Sequence, residues 1–92
     1  MKIAVIAYFE DAPVELSMSK VKTVIPKPLK IKIIESEEVS HVFEVKRIIK
    51  VDSLAAVKTK FFQYEIEIED DGVLKKIQLR YYPMELLWTL AD

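Results

Sequence analysis

The chain of 92 residues has no cysteine, no asparagine, a single histidine (His41) and a single glycine (Gly72). Without cysteine there is no disulfide framework and no thiolate metal site. One glycine excludes a glycine-rich phosphate loop, a collagen-like repeat and a flexible linker. Charge of one sign is also missing. Fourteen Lys and Arg stand against fifteen Asp and Glu, a net charge of −1, so no global field draws the chain to nucleic acid or membrane. The longest apolar run, Ile3 to Phe9, is far short of the roughly 20 residues of a spanning helix. It ends in Glu10-Asp11 without a small-residue cleavage site, which argues against a signal peptide. The expectation is one soluble, cytoplasmic domain over residues 1–92, with no membrane association.

What is present is apolar: 51% of the residues are hydrophobic. Only two glutamines, Gln63 and Gln78, accompany a charge set dominated by Lys and Glu. Depletion of thermolabile residues with Lys and Glu enrichment is the composition of heat-adapted proteins, and a thermophilic source is expected.

Strand signals dominate. Ile3–Phe9 is apolar at both alternating sets of positions, which predicts a strand covered on two sides. Leu29 to Ile33 alternates apolar and basic, and Val42–Val51 continues in strand pattern with a bulge expected at Arg47. The clearest element is a hairpin from Phe61 to Tyr82 around Asp71-Gly72, read as a two-residue type I′ turn. That register sets Tyr64 opposite Leu79, Ile66 opposite Ile77 and Phe62 opposite Tyr81 on an apolar face. Glu67 opposes Lys76, Glu65 opposes Gln78 and Gln63 opposes Arg80 on the other; a slip of one residue destroys both faces. Pro83 ends the strand, and Met84, Leu86, Trp88 and Leu90 alternate as a closing one.

Two stretches carry helix signals. Asp11, Pro13 and Glu15 resemble a helix start and Pro26 a stop, yet Val14, Leu16 and Met18 also alternate as in a strand. An irregular or short helical start followed by an extended piece is expected over residues 10–28. Asp52–Val57 is read as one helical turn. The expected architecture is mainly β, a five- or six-stranded SH3-like barrel or strongly bent antiparallel sheet with at most one short helix. The alternative is an α+β fold with residues 11–25 helical.

From Pro26-Lys-Pro-Leu-Lys-Ile31 through Phe43-x-Val45-x-x-Ile48-x-x-Val51 and Phe62-x-Tyr64-x-Ile66 to Trp88-x-Leu90, the chain resembles an uncharacterised bacterial family of small β-rich domains of unknown function. Some members sit beside translesion-type DNA polymerase proteins. The resemblance covers about residues 26–90 and implies a small SH3-like barrel; the family's Trp-Arg pair and the glycine before its long strand are missing here.

Catalysis needs a nucleophile with a base, an acid–base pair or a metal. Glu38-Val-Ser-His41 spells a di-iron half-site, but that site needs two copies and two further carboxylates on long helices. Ser17-Met-Ser-Lys20 spells the acylating motif of penicillin-binding enzymes without its partner motifs. Glu65, Glu67 and Glu69 on one strand face opposite Lys76 and Gln78 read as a solvated sheet surface. No enzyme activity, cofactor or metal is expected.

Two binding readings remain. Phe61, Gln63, Arg80 and Tyr82 lie together at the open end of the hairpin's polar face, where aromatics are out of place. They form the candidate patch for a protein partner or a second copy, and a non-catalytic interaction or self-association module is the leading expectation. The alternative is nucleic-acid binding through Lys20, Lys22, Lys27, Lys30 and Lys32, in a stretch with no acid between Leu16 and Ile34.

Overall fold

The computed structural model describes residues 4–56 and 59–91. They form six strands: β1 (Ala4–Glu15), β2 (Lys22–Ile34), β3 (Ser40–Ala56), β4 (Thr59–Asp70), β5 (Val73–Tyr82) and β6 (Leu87–Ala91). The order in the sheet is β1-β2-β3-β4-β5-β6, every neighbour antiparallel. The sheet curls into a half-barrel, and the fold is all-β with no helix among the described residues.

The β4–β5 hairpin has the register that its alternation dictates: Phe62 opposes Tyr81, Tyr64 opposes Leu79, Ile66 opposes Ile77 and Glu67 opposes Lys76. Asp71 (φ 50°) and Gly72 (φ 78°) both take positive φ, as a type I′ turn requires. Tyr64, Ile66, Ile68 and Leu79 meet Val51 of β3, Trp88 of β6 and Ile25 and Ile31 of β2 in the core. Curling joins the two ends of the sheet through side chains. The ring of Phe9 on β1 lies 5.7 Å from that of Trp88 on β6 and 6.3 Å from that of Tyr81.

Four expectations are corrected. Residues 11–25 are not helical: β1 runs to Glu15, Leu16–Val21 make a turn, and β2 begins at Lys22. Pro13 is tolerated because β1 is an edge strand, and Pro26 sits inside β2 rather than ending an element. Asp52 to Ala56 is the end of β3 and not a helical turn; Val57 lies outside the described residues. The closing strand starts only at Leu87, because Met84 and Leu86 stand exposed in the turn before it and Leu86 has a positive φ.

The first strand is covered on one side, not two. Val5 and Ala7 pack against the core. Ile6 and Tyr8 face outward, 45% and 51% exposed, beside Lys32 and Lys30 on β2. Ile3 lies outside the described residues.

β3 serves two neighbours in turn. Residues 40–44 pair with β2, and from Val45 onward the strand pairs with β4, with register shifts between Val45 and Arg47 and between Ile48 and Lys50. The bulge expected at Arg47 is thus present, with a second one beside it. Bulges bend a strand and raise its twist, and here they take β3 away from β2.

Candidate functional site

The candidate patch assembles as the hairpin register requires. Phe61 and Tyr82 share the sheet face turned away from the core, with ring centroids 5.3 Å apart. The guanidinium carbon of Arg80 lies 4.9 Å from the centre of the Phe61 ring, within cation–π range. Gln63 neighbours Arg80 in the register and donates from Nε2 to Oε1 of Gln78 at 2.9 Å. Phe61 is 9% exposed although it stands outside the main core cluster. Its cover comes from its own face, chiefly Arg80 and Tyr82, which makes the cluster a second, small core as well as a surface.

Two register rows cross this face. The first is Asp52, Gln63, Arg80 and Thr89 on β3, β4, β5 and β6. The second is Leu54 and Phe61, then Tyr82 and Leu87. Two members of the first row hold an unsatisfied atom: Asp52 Oδ1 and Arg80 Nε are buried with no hydrogen-bond partner among the described residues. Asp52 keeps one ionic neighbour, Lys50 Nζ at 3.6 Å from Oδ2. Arg80 has no carboxylate within ion-pairing distance among the described residues. A buried donor or acceptor left without a hydrogen bond costs about 1–3 kcal/mol. Asp52 and Thr89 are the members of this row that sequence reading missed, Asp52 because Asp52-Ser resembled a helix cap.

The lysines of the alternative reading are divided. Lys20 and Lys27 line a cleft between β2 and β3, whereas Lys30 and Lys32 stand outside it on β2 and Lys22 opposes Glu15. Three cations outside the candidate stretch, Lys46, Arg47 and Lys50, line the same cleft from β3.

The remaining motifs have structural settings. His41 Nε2 lies 3.9 Å from Glu35 at an exposed turn. Ser17 Oγ accepts a 3.2 Å hydrogen bond from the N–H of Val51. Glu67 is ion-paired with Arg47 Nε at 3.3 Å and not with Lys76, its register partner. No group of three or more His, Asp or Glu is placed to hold a metal ion among the described residues, and no helix there is long and apolar enough to cross a membrane.

No known family model, no curated protein and no solved structure matches this chain. Any function therefore rests on the geometry above.

Proposed function

We propose that this chain is a non-catalytic self-association module, pairing face to face with a second copy through the outer surface of β3, β4, β5 and β6. One observation carries the reading: the row Asp52–Gln63–Arg80 is an acid, an amide and a base in order, and its acid and base each retain a buried unsatisfied atom. A two-fold dimer places residue i on j and j on i. A two-fold axis running along β4 exchanges β3 with β5, and so reverses the β3–β4–β5 part of each row onto itself. Asp52 then meets Arg80 of the second copy, Gln63 meets Gln63, Leu54 meets Tyr82, and the position of Phe61 falls on its own image.

Arginine and aromatic side chains are the residue types that dominate binding energy at interfaces. Stacking on Phe61 fixes the guanidinium in advance, so less side-chain freedom is lost on association. Its planar fork suits a carboxylate in bidentate contact. An outside acidic partner protein would use the same anchor and is the competing outcome.

Sedimentation equilibrium across micromolar concentrations tests this with wild type and Arg80→Gln, at about 150 mM salt, where exposed charges separated by more than about 8 Å are largely screened. A concentration-dependent dimer that Arg80→Gln abolishes, with the melting temperature changed by only a few degrees, is expected. A wild type that stays monomeric, or an Arg80→Gln dimer of unchanged strength, contradicts the proposal.

A further inference from the structure

β2 and β3 begin as a ladder at residues 30–34 and 40–44 and then separate, leaving a cleft of about 700 Å³ between residues 27–29 of β2 and 45–51 of β3. Three features hold it open. Pro26 and Pro28 give β2 no N–H at two positions facing this stretch, so a continued ladder to β3 lacks donors. The two register shifts bend β3 toward β4. At the far end the β1–β2 turn is fastened to β3: Ser17 N–H donates to the carbonyl of Val51 at 2.8 Å, and Val51 N–H donates back to Ser17 Oγ at 3.2 Å.

Five cations line this window, Lys20, Lys27, Lys46, Arg47 and Lys50, against one carboxylate, Glu15. Lys20 stands in the turn with φ 61°. Lys46, Arg47 and Lys50 each have a carboxylate at 3.3–3.8 Å. Each of those cations is more than 40% exposed, and ion pairs of that kind are weak enough to be exchanged for a competing anion. Lys20 and Lys27 have no carboxylate within that distance among the described residues.

We infer that the cleft between β2 and β3 binds the phosphodiester backbone of single-stranded nucleic acid, independently of base sequence. A cation-lined groove that follows a flexible polyanion is the electrostatic half of single-strand recognition. No aromatic ring is among the lining residues, so the stacking half is absent and base preference with it. A peptide fits worse. A strand added to this edge of β2 would miss donors at Pro26 and Pro28, and the Pro26 carbonyl already accepts from Tyr64 Oη, whereas main-chain hydrogen bonds are what give strand addition its affinity. A duplex is too broad to enter a window framed by β2, β3 and the end of β1. The site touches the Asp52–Arg80 row only at Lys50, which pairs with Asp52, and neither variant tested below alters that pair, so its failure would leave the dimer proposal standing.

Fluorescence anisotropy with a labelled oligothymidylate tests it at about 50 mM salt, where counterion release makes phosphate binding strong. The full chain is compared with a Lys20→Asn/Lys27→Glu variant and with a Lys30→Glu/Lys32→Glu variant, whose larger charge change lies outside the cleft. The cleft variant is expected to bind at least tenfold more weakly and to flatten the salt dependence by about 1.4 in log–log slope, near 0.7 for each lost contact. The outer variant is expected to stay within about threefold of wild type, and all three are expected to keep their melting profiles. Equal weakening in both variants, equal competition by polyglutamate or by duplex DNA, or no binding at tens of micromolar protein overturns the inference.

Discussion

Tyr64 Oη donates a 2.6 Å hydrogen bond to the carbonyl oxygen of Pro26, across 38 residues of chain. Tyr64 is fully buried at the centre of β4, and Pro26 belongs to the part of β2 that has no ladder to β3. The bond therefore does for the two halves of the curled sheet what a ladder would otherwise do, and it satisfies the carbonyl that the open edge of β2 leaves free. Tyr64→Phe removes the donor and leaves that carbonyl unpaired, at a cost of about 1–3 kcal/mol in urea unfolding.

The same residue sets a pH dependence. Burial first, then the charges of Tyr81 and Asp11, hold the Tyr64 phenol above its ordinary value of 10.0. A raised folded-state pKa contributes stability that is complete below pH 10 and is lost as pH rises through the folded value, because the unfolded chain ionises first. Between pH 8 and pH 11.5 the stability gap between wild type and Tyr64→Phe is expected to hold to about pH 10. It then narrows by up to roughly 1.4 kcal/mol per pH unit. A gap that stays constant over this range contradicts the assignment.

Gly72 tests the hairpin. Nothing lies within 4 Å of the place where its Cβ would stand, so a side chain there meets no steric obstacle. Its φ of 78° is the whole difficulty. Gly72→Ala is expected to cost about 1 kcal/mol in thermal or urea unfolding, the left-handed penalty alone. No change would mean that the turn is not type I′ in solution.

These elements differ in how openly the sequence announces them. The β4–β5 hairpin is legible because a two-residue turn and a period of two leave one register that sorts Tyr64, Ile66 and Leu79 from Glu65, Glu67 and Arg80. Residues 11–25 were not, because Pro13 and Pro26 carry the same local signal at a helix boundary and at an unpaired strand edge. Only the position of β1 at the edge of the sheet, and of β2 beside a cleft, separates the two. The approach of Phe61, Arg80 and Tyr82 follows from the register alone. Asp52 could be added to their row only through β3, whose two bulges shift its pairing by amounts that alternation does not reveal. Lys46, Arg47 and Lys50, interleaved with Glu44 and Asp52, form no basic run in the sequence, and only the bend of β3 away from β2 gathers them at the cleft.

Phe61→Ala separates packing from association at the patch. Phe61 is already buried within one chain, so its truncation is expected to cost about 3 kcal/mol and lower the melting temperature by more than ten degrees, whatever the oligomeric state. A melting temperature unchanged by Phe61→Ala would mean that Arg80 and Tyr82 do not cover the ring in solution.

The pairing of Asp52 with Arg80 of a second copy is tested most directly by charge exchange. Asp52→Lys and Arg80→Glu are made as separate chains, each checked for a wild-type circular dichroism spectrum, and sedimented alone and as an equimolar mixture. Alone, Asp52→Lys sets lysine against arginine and Arg80→Glu sets glutamate against aspartate, so each is expected to be monomeric. Mixed, every acid again meets a base, and a one-to-one heterodimer is expected. Two variants that dimerise alone as wild type does, or a mixture of folded chains that stays monomeric, would contradict the face-to-face dimer.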